Sequence, residues 1–207
     1  MGFYKQQIIP RLMNLAMDSE PFHKVRKRAL KNLDGTVLEI GFGTGLNLPF
    51  YPQAVKKIIA IDSVEFDSKY INAHKIANGP SVHFIHCPGE SLPLRANSVD
   101  HVVTTWTLCS VQDPLKILAE INRVLKSGGT YVFVEHGKSP EPFIAVIQNC
   151  LTPIHKRCGG GCHLNCSMNK IIAQSALRIK KCNHFYMKGL KFRSYLYVGL
   201  ARKQKLS

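Results

Sequence analysis

A chain of 207 residues and 23.2 kDa, 45% hydrophobic and 20% charged, has the size and balance of one globular domain with a sizeable core. That balance excludes a disordered, collagen-like or disulfide-stapled protein, and no apolar run approaches the ~20 residues that cross a bilayer. Lys and Arg number 28 against 13 Asp and Glu, and the net charge of +15 suggests an anionic partner (nucleic acid, a membrane surface or a small molecule) without choosing among them.

Strands alternate with helices through the middle of the chain. Residues 36–40, 58–61, 82–85, 99–105 and 130–134 are short apolar, β-branched runs that read as buried strands. Between them, 64–77 and 114–125 have helical spacing. In the second helix Leu115, Leu118, Ile121 and Leu125 share a face, and Gly128-Gly129 supplies a stop. This alternation predicts an α/β fold with a doubly wound, mainly parallel sheet. The last third departs from it. Residues 151–166, rich in Gly, Pro and Cys, read as loop, and 169–176 as a short helix. Residues 177–187 and 192–200 read as two strands joined by a Lys188-Gly189 turn, an antiparallel hairpin at the sheet edge.

The charge is unevenly spread. Residues 35–136 hold 8 basic and 9 acidic side chains, a net of −1; residues 1–34 carry +4 and residues 137–207 carry +12. The chain therefore reads as a single domain (1–207) with a helical lid at 1–34, a near-neutral core at 35–137 and a basic covering part at 138–207. The start of the chain lacks a signal peptide's apolar centre and small-residue cleavage site, so a cytoplasmic location is expected, with the seven cysteines reduced.

The chemistry-bearing motif follows the first strand. In Glu39-Ile40-Gly41-Phe42-Gly43-Thr44-Gly45 the glycines allow a sharp turn and close approach of a ligand. The spacing is GxGxG, not the GxGxxG of dinucleotide-binding folds. About twenty residues on, Asp62 ends the second strand, where a carboxylate can take both hydroxyls of a ribose.

Several segments together resemble the class I S-adenosylmethionine-dependent methyltransferases. They are VLEIGFGTGLNLPFY, AIDSVE, CPGESLPLRANSVDHVVTTWTLCSV and LAEINRVLKSGGTYVFVEHG, in the family's order and at its spacing, over residues 36–137. The finer likeness is to small bacterial proteins of the type-11 group, themselves similar to membrane-associated alkyl-thiol methyltransferases. It extends outward through FYKQQIIPRLMNLAM, LTPIHK, GGCHLN and YLYVGLA. The resemblance implies a seven-stranded Rossmann-like methyltransferase sheet and S-adenosyl-L-methionine as cofactor. Gly41, Gly43 and Gly45 would line its methionine and ribose part, Glu39 would face the amino-acid end, Asp62 would bind the ribose hydroxyls, and Ser63 would lie beside the adenine. Thr104, Thr105 and Trp106 would lie under the sulfonium. Many members carry Asp-Ala after the third strand. This chain reads Cys87-Pro88-Gly89-Glu90 there, which implies backbone contacts around Gly89 and Glu90 to the adenine.

No catalytic residue is assigned. Methyl transfer from a sulfonium is an in-line displacement, so alignment and exclusion of water are the main tasks. His136 and His163 are the candidates for contact with an acceptor, and Tyr4 and Arg11 for a lid. Cys109, Tyr195 and Tyr197 read as packing residues. Cys158, Cys162 and Cys166, with His155 and His163 nearby, lack the paired CxxC spacing of structural zinc sites, so no metal is expected. The expected partner is a small hydrophobic or amphiphilic methyl acceptor, a thiol or a lipid amine, with peripheral contact to a membrane surface through the basic ends. The alternatives are an RNA or DNA methyltransferase, for which no nucleic-acid module is recognisable, and a non-catalytic cofactor-binding module.

Overall fold

The structure, a computed structural model, describes residues 17–64, 79–158 and 161–204. Tyr4, Arg11, most of the helix expected over 64–77, Gly159, Gly160 and the side chain of Cys158 lie outside the described residues.

The described chain runs α1 (Glu20–Leu30), β1 (Gly35–Ile40), β2 (Val55–Asp62), β3 (Ser81–His86), β4 (Val99–Thr105), α2 (Pro114–Val124), β5 (Leu125–His136), α3 (Pro142–Cys158), α4 (Met168–Ala173), β6 (Leu177–Tyr186), α5 (Lys191–Ser194) and β7 (Tyr195–Lys203). The strands form one seven-stranded sheet in the order β3-β2-β1-β4-β5-β7-β6. β1 to β5 pair in parallel, while β7 pairs antiparallel with both β5 and β6. The doubly wound sheet with an antiparallel hairpin at its edge is thus as expected, and the hairpin's second strand is the inner one. Strand order reverses between β1 and β4, and ligands of such sheets bind outside the carboxyl ends of the strands at that point.

Alternation along each strand sends neighbours to opposite faces. Val102 packs into a cluster with Leu118, Ile121, Tyr131 and Phe133, and Val103 into one with Leu30, Val37, Ile58 and Val132. Burying a side chain of this size contributes roughly 1.5–3 kcal/mol, so the two clusters hold helices to both faces.

Four local readings change. β5 starts at Leu125, directly after α2, so Gly128-Gly129 lie inside the strand and do not stop the helix. α2 buries Ile117, Leu118, Ile121 and Val124, whereas Leu115 is 42% exposed. Pro114 opens the helix and the Asp113 carboxylate accepts from Lys116 N at 3.1 Å, which sets a phase that turns Leu115 outward. Residues 151–158 are helical, being the end of α3, although Pro153 lies inside that helix. One face of α3 buries Ile144, Ala145, Gln148 and Thr152, and this burial overrides the composition of the segment. The final strand starts at Tyr195 instead of 192, because residues Lys191–Ser194 form a helical turn.

Candidate active site

The glycine loop after β1 is tied to the end of β2, with Gly41 N and Phe42 N donating to Ile61 O at 2.9 and 3.1 Å. Gly41 has φ +74°, and a Cβ there would collide with the Thr107 side chain. Gly43 has φ +58° and a Cβ there would meet nothing within 4 Å, since it would project into open cavity. Both positions therefore require glycine, the first through crowding and backbone sign, the second through backbone sign alone. Asp62 braces this loop. Its carboxylate accepts from Gly43 N and from Val64 N, each at 2.9 Å. Burial raises its pKa against those bonds.

Beneath the loop lies a buried polar network. Glu39, 1% exposed, accepts from Asn47 Nδ2 at 2.7 Å and from the Tyr51 hydroxyl at 2.6 Å. Burial pushes the Glu39 carboxyl up to about 7, although Tyr51, Asn47 and Arg26 favour its charged form. Arg26, also buried, donates to Asn47 Oδ1 at 3.1 Å and to Met17 O at 3.0 Å, and burial lowers its pKa to about 10. Asn47 Nδ2 also donates to Thr105 Oγ1 at 3.0 Å. Arg26, Asn47 and Tyr51 were not singled out from the sequence. The only signal for them was their place in segments flanking the glycine motif.

Thr104 and Thr105 part company at the end of β4. Thr104 is fully buried on the opposite side of the sheet, where its hydroxyl donates to Glu135 Oε1 at 2.7 Å and lies 2.8 Å from the Tyr131 hydroxyl. It does not reach the cavity. Thr105 and Trp106 do. Trp106 has φ +53°, a left-handed conformation that costs a bulky residue about 1 kcal/mol or more. Its backbone N bonds Val134 O at 2.7 Å and its ring is 7% exposed. Its Nε1 is a buried donor with no partner among the described residues.

These elements enclose a cavity of about 910 Å³. Glu39, Gly41, Gly43, Asp62, Ser63, Gly89, Glu90, Thr105 and Trp106 all line it. Gly45 does not; it has φ +83° and its Cβ direction faces Leu48 and Phe42, so it makes the turn. Met17, Val111 and Ile117 also line it, with Lys156 and Arg157 of α3, and Ile117 packs beside Gly89.

Neither His136 nor His163 is on the cavity wall, which removes the geometric support for substrate contact by either. The His136 ring lies edge-on to Trp106, centroids 6.4 Å apart, and its Nδ1 is 3.4 Å from Cys162 Sγ. His163 N bonds Cys109 O at 2.7 Å, which makes it a loop-fixing residue. Cys109 is 1% exposed, packed in the main core, with its Sγ 3.4 Å from Cys162 Sγ. Hydrogen bonding with Cys109, then with His136 and His155, holds the Cys162 thiol low against burial, and the same contact raises Cys109. Tyr195 and Tyr197 are packed in the core, as expected.

Residues 38–133 match the family model described as "Methyltransferase domain". The thiol S-methyltransferase TMT1B of Rattus norvegicus is 40% identical over 144 residues, which cover 65% of this chain and 59% of that protein. A phosphatidylethanolamine N-methyltransferase of Cereibacter sphaeroides is 24% identical over 150 residues, covering 70% of this chain and 71% of that one. Among solved structures, a SAM-dependent methyltransferase of Methanosarcina mazei superposes with a TM-score of 0.63 at 21% identity, covering 84% of this chain and 94% of that chain. The chain thus spans about three fifths of the length of the rat relative. The sheet order, the glycine cradle and these matches make the chain similar to the class I S-adenosylmethionine-dependent methyltransferases, with the methyltransferase-domain match spanning just under half of it.

Proposed function

We propose that this methyltransferase transfers the methyl group to a small lipophilic thiol. The likeness to the rat thiol S-methyltransferase carries this reading. The cavity supports it. Met17, Val111 and Ile117 give the cavity apolar lining, and Lys156 and Arg157 add positive charge to it. A thiol must ionise before it attacks, and nearby cations favour the thiolate.

The residues present fit S-adenosylmethionine. The Gly43 backbone leaves room where any side chain would fill the cavity, and Trp106 Nε1 is a donor awaiting an acceptor. The Asp62 oxygens accept from the backbone of Gly43, Val64 and Ser63, and a carboxylate's four lone-pair sites leave room for a ribose hydroxyl. Gly41 and Gly43 would take the methionine and ribose part, Ser63, Gly89 and Glu90 the adenine, and Glu39 the amino-acid end. Thr105 and Trp106 would stand beneath the sulfonium. When bound, the cofactor supplies an activated methyl group. The chain's own residues align the acceptor, exclude water and favour its anionic form.

A second reading, a lipid amine as acceptor, has one observation in its favour. Phe143, Val146, Cys150 and Ile154 occupy one exposed face of α3, with Phe143 76% and Ile154 63% exposed, and the helix ends in Lys156 and Arg157. Apolar residues beside cations suit the interface of an anionic membrane. No described helix is long and apolar enough to cross a membrane. A methyl-transfer assay over thiols, lipid amines and RNA separates the acceptors. Label on thiols supports the first reading and label confined to lipid supports the second.

A further inference from the structure

Three segments outside the cofactor cradle converge on one point. Cys109 comes from the loop after β4, His136 from the last position of β5, and Cys162 from the loop after α3. Cys162 Sγ is 3.4 Å from Cys109 Sγ and 3.4 Å from His136 Nδ1, and all three atoms lie within 4.8 Å of one another. A tetrahedral zinc ion with bonds of about 2.3 Å to sulfur and about 2.0 Å to nitrogen needs ligand-to-ligand edges of roughly 3.5–3.8 Å. Two of the three edges, at 3.4 Å, are within a few tenths of an ångström of that spacing, and the third is no longer than 4.8 Å, so an ion would draw the three atoms together by modest movements.

The loops that carry the sulfurs are fixed. Leu108 N and Cys109 N donate to the two oxygens of the buried Glu135 carboxylate at 3.0 and 3.2 Å, and Cys109 O accepts from His163 N at 2.7 Å. On the other side, Gly161 has φ +95°, and a Cβ there would stand 2.8 Å from Ser110 O. Glycine is what lets the Cys162 segment approach the Cys109 loop. Cys109 and Cys162 are 1% and 5% exposed, so the pair is dry. A dithiol poised only to form a disulfide would leave the placement of His136 unexplained.

We propose that Cys109, His136 and Cys162 form a zinc site beside the cavity, with one coordination position left for an exogenous ligand. Two thiolates and an imidazole are a donor set for a thiophilic cation, and three protein ligands are the number that leaves a position open. On binding, each thiol releases its proton to solvent, the two thiolates neutralise the ion, and His136 binds through Nδ1 as neutral imidazole. Ser110 and Gly161, the chain neighbours of Cys109 and Cys162, line the cavity, so the site adjoins it. Paired CxxC spacing marks zinc ligands that lie close together in one segment, whereas this set is drawn from three. The site does not depend on which acceptor the enzyme uses.

The test is metal content of the full chain, purified with a non-thiol reductant, loaded with zinc and dialysed into metal-free buffer. About one zinc per chain is expected. Cys109→Ser, His136→Gln and Cys162→Ser should each fall at least about tenfold in affinity, while Cys182→Ser, outside the cluster, should load like wild type. Cobalt gives an independent readout that needs no activity. Thiolate-to-cobalt absorption should appear, and emission of Trp106, the chain's single Trp, should be quenched because its ring is 6.4 Å from that of His136. Cofactor binding by each variant confirms that it is folded. Wild type holding less than about a tenth of an equivalent, equal loading in folded cluster variants, or a Cys109–Cys162 disulfide persisting under the reductant would each overturn the site.

Discussion

The guanidinium of Arg26 lies over the Trp106 ring, 4.8 Å from its centroid, and so couples α1 to the left-handed turn that ends β4. Arg26 also carries the hydrogen bonds to Asn47 and Met17, and with Asn47 it links the helix to Glu39. Replacing it by Met leaves Asn47 Oδ1 and Met17 O short of a buried donor. Arg26→Met is expected to cost about 3 kcal/mol, roughly 6–12 °C in Tm at this chain length. Arg26→Lys, which keeps the charge but not the planar fork, should fall between. Thermal melts followed by Trp106 emission check this, and an unchanged melting curve for Arg26→Met would contradict it.

Glu39 links proton release to cofactor binding. Its carboxyl is raised to about 7 by burial, so the neutral form is favoured in the free protein below that pH. An ammonium group near it favours the charged form, so cofactor binding should release a proton. Affinity is then expected to fall by up to about tenfold per unit as pH drops below about 7, and to level off above. Glu39→Gln should bind weakly with a flat profile. The same raised pKa gives the sign for stability. Stability from neutral Glu39 is fully present below its unfolded value of 4.5 and is lost as pH rises through about 7. Wild type should therefore lose on the order of 2 kcal/mol more than Glu39→Gln from about pH 5 to about pH 8. Calorimetry in buffers of different ionisation heat measures the proton directly, and no proton release near neutral pH would refute the linkage.

Two glycines of one loop should fail in different ways. Gly43→Val places a side chain in open cavity, so it is expected to weaken cofactor binding more than about a hundredfold while costing only the roughly 1–2 kcal/mol of a left-handed side chain. Gly41→Ala meets the Thr107 side chain as well as the same backbone penalty, so its larger loss should be in stability. Melting temperatures and binding isotherms on both variants separate the outcomes. Equal melting temperatures would show that Thr107 moves aside.

Much of the fold was legible because the sheet interior announces itself. The run 99–105 is β4 to the residue, and Glu39, the glycines and Asp62 sit at strand ends where alternation of strand and helix requires a ligand crevice. What could not be read has physical causes. Thr104 and Thr105 are neighbours of the same residue type, and only the pleat decides which reaches the cavity. Arg26, Asn47 and Tyr51 meet Glu39 across 8 to 13 residues of chain through tertiary packing that no local pattern encodes. The helical end of α3 was hidden by Pro153, whose effect on the backbone is outweighed by the buried face. Cys109, His136 and Cys162 come from two loops and a strand end, and a search by ligand spacing in one segment does not find them.

The exposed face of α3 carries its own expectation. The triple change Phe143→Ser, Val146→Ser, Ile154→Ser should lower partition onto anionic phosphatidylserine vesicles about tenfold or more, since each large apolar group contributes roughly 1 kcal/mol or more when buried in an interface. Melting temperature should hold steady because these residues already face solvent. Sedimentation with vesicles measures this. Partition unchanged by the triple substitution would remove this face as the contact.

The central claim, methyl transfer to a thiol, is tested most directly by incubating the full chain with methyl-labelled S-adenosylmethionine and, in parallel, a short alkyl thiol, a phosphatidylethanolamine dispersion and total RNA. Label is expected in the thioether, rising with pH as the thiol ionises, and abolished by Gly43→Val. Label that enters only the lipid or only the RNA would contradict it.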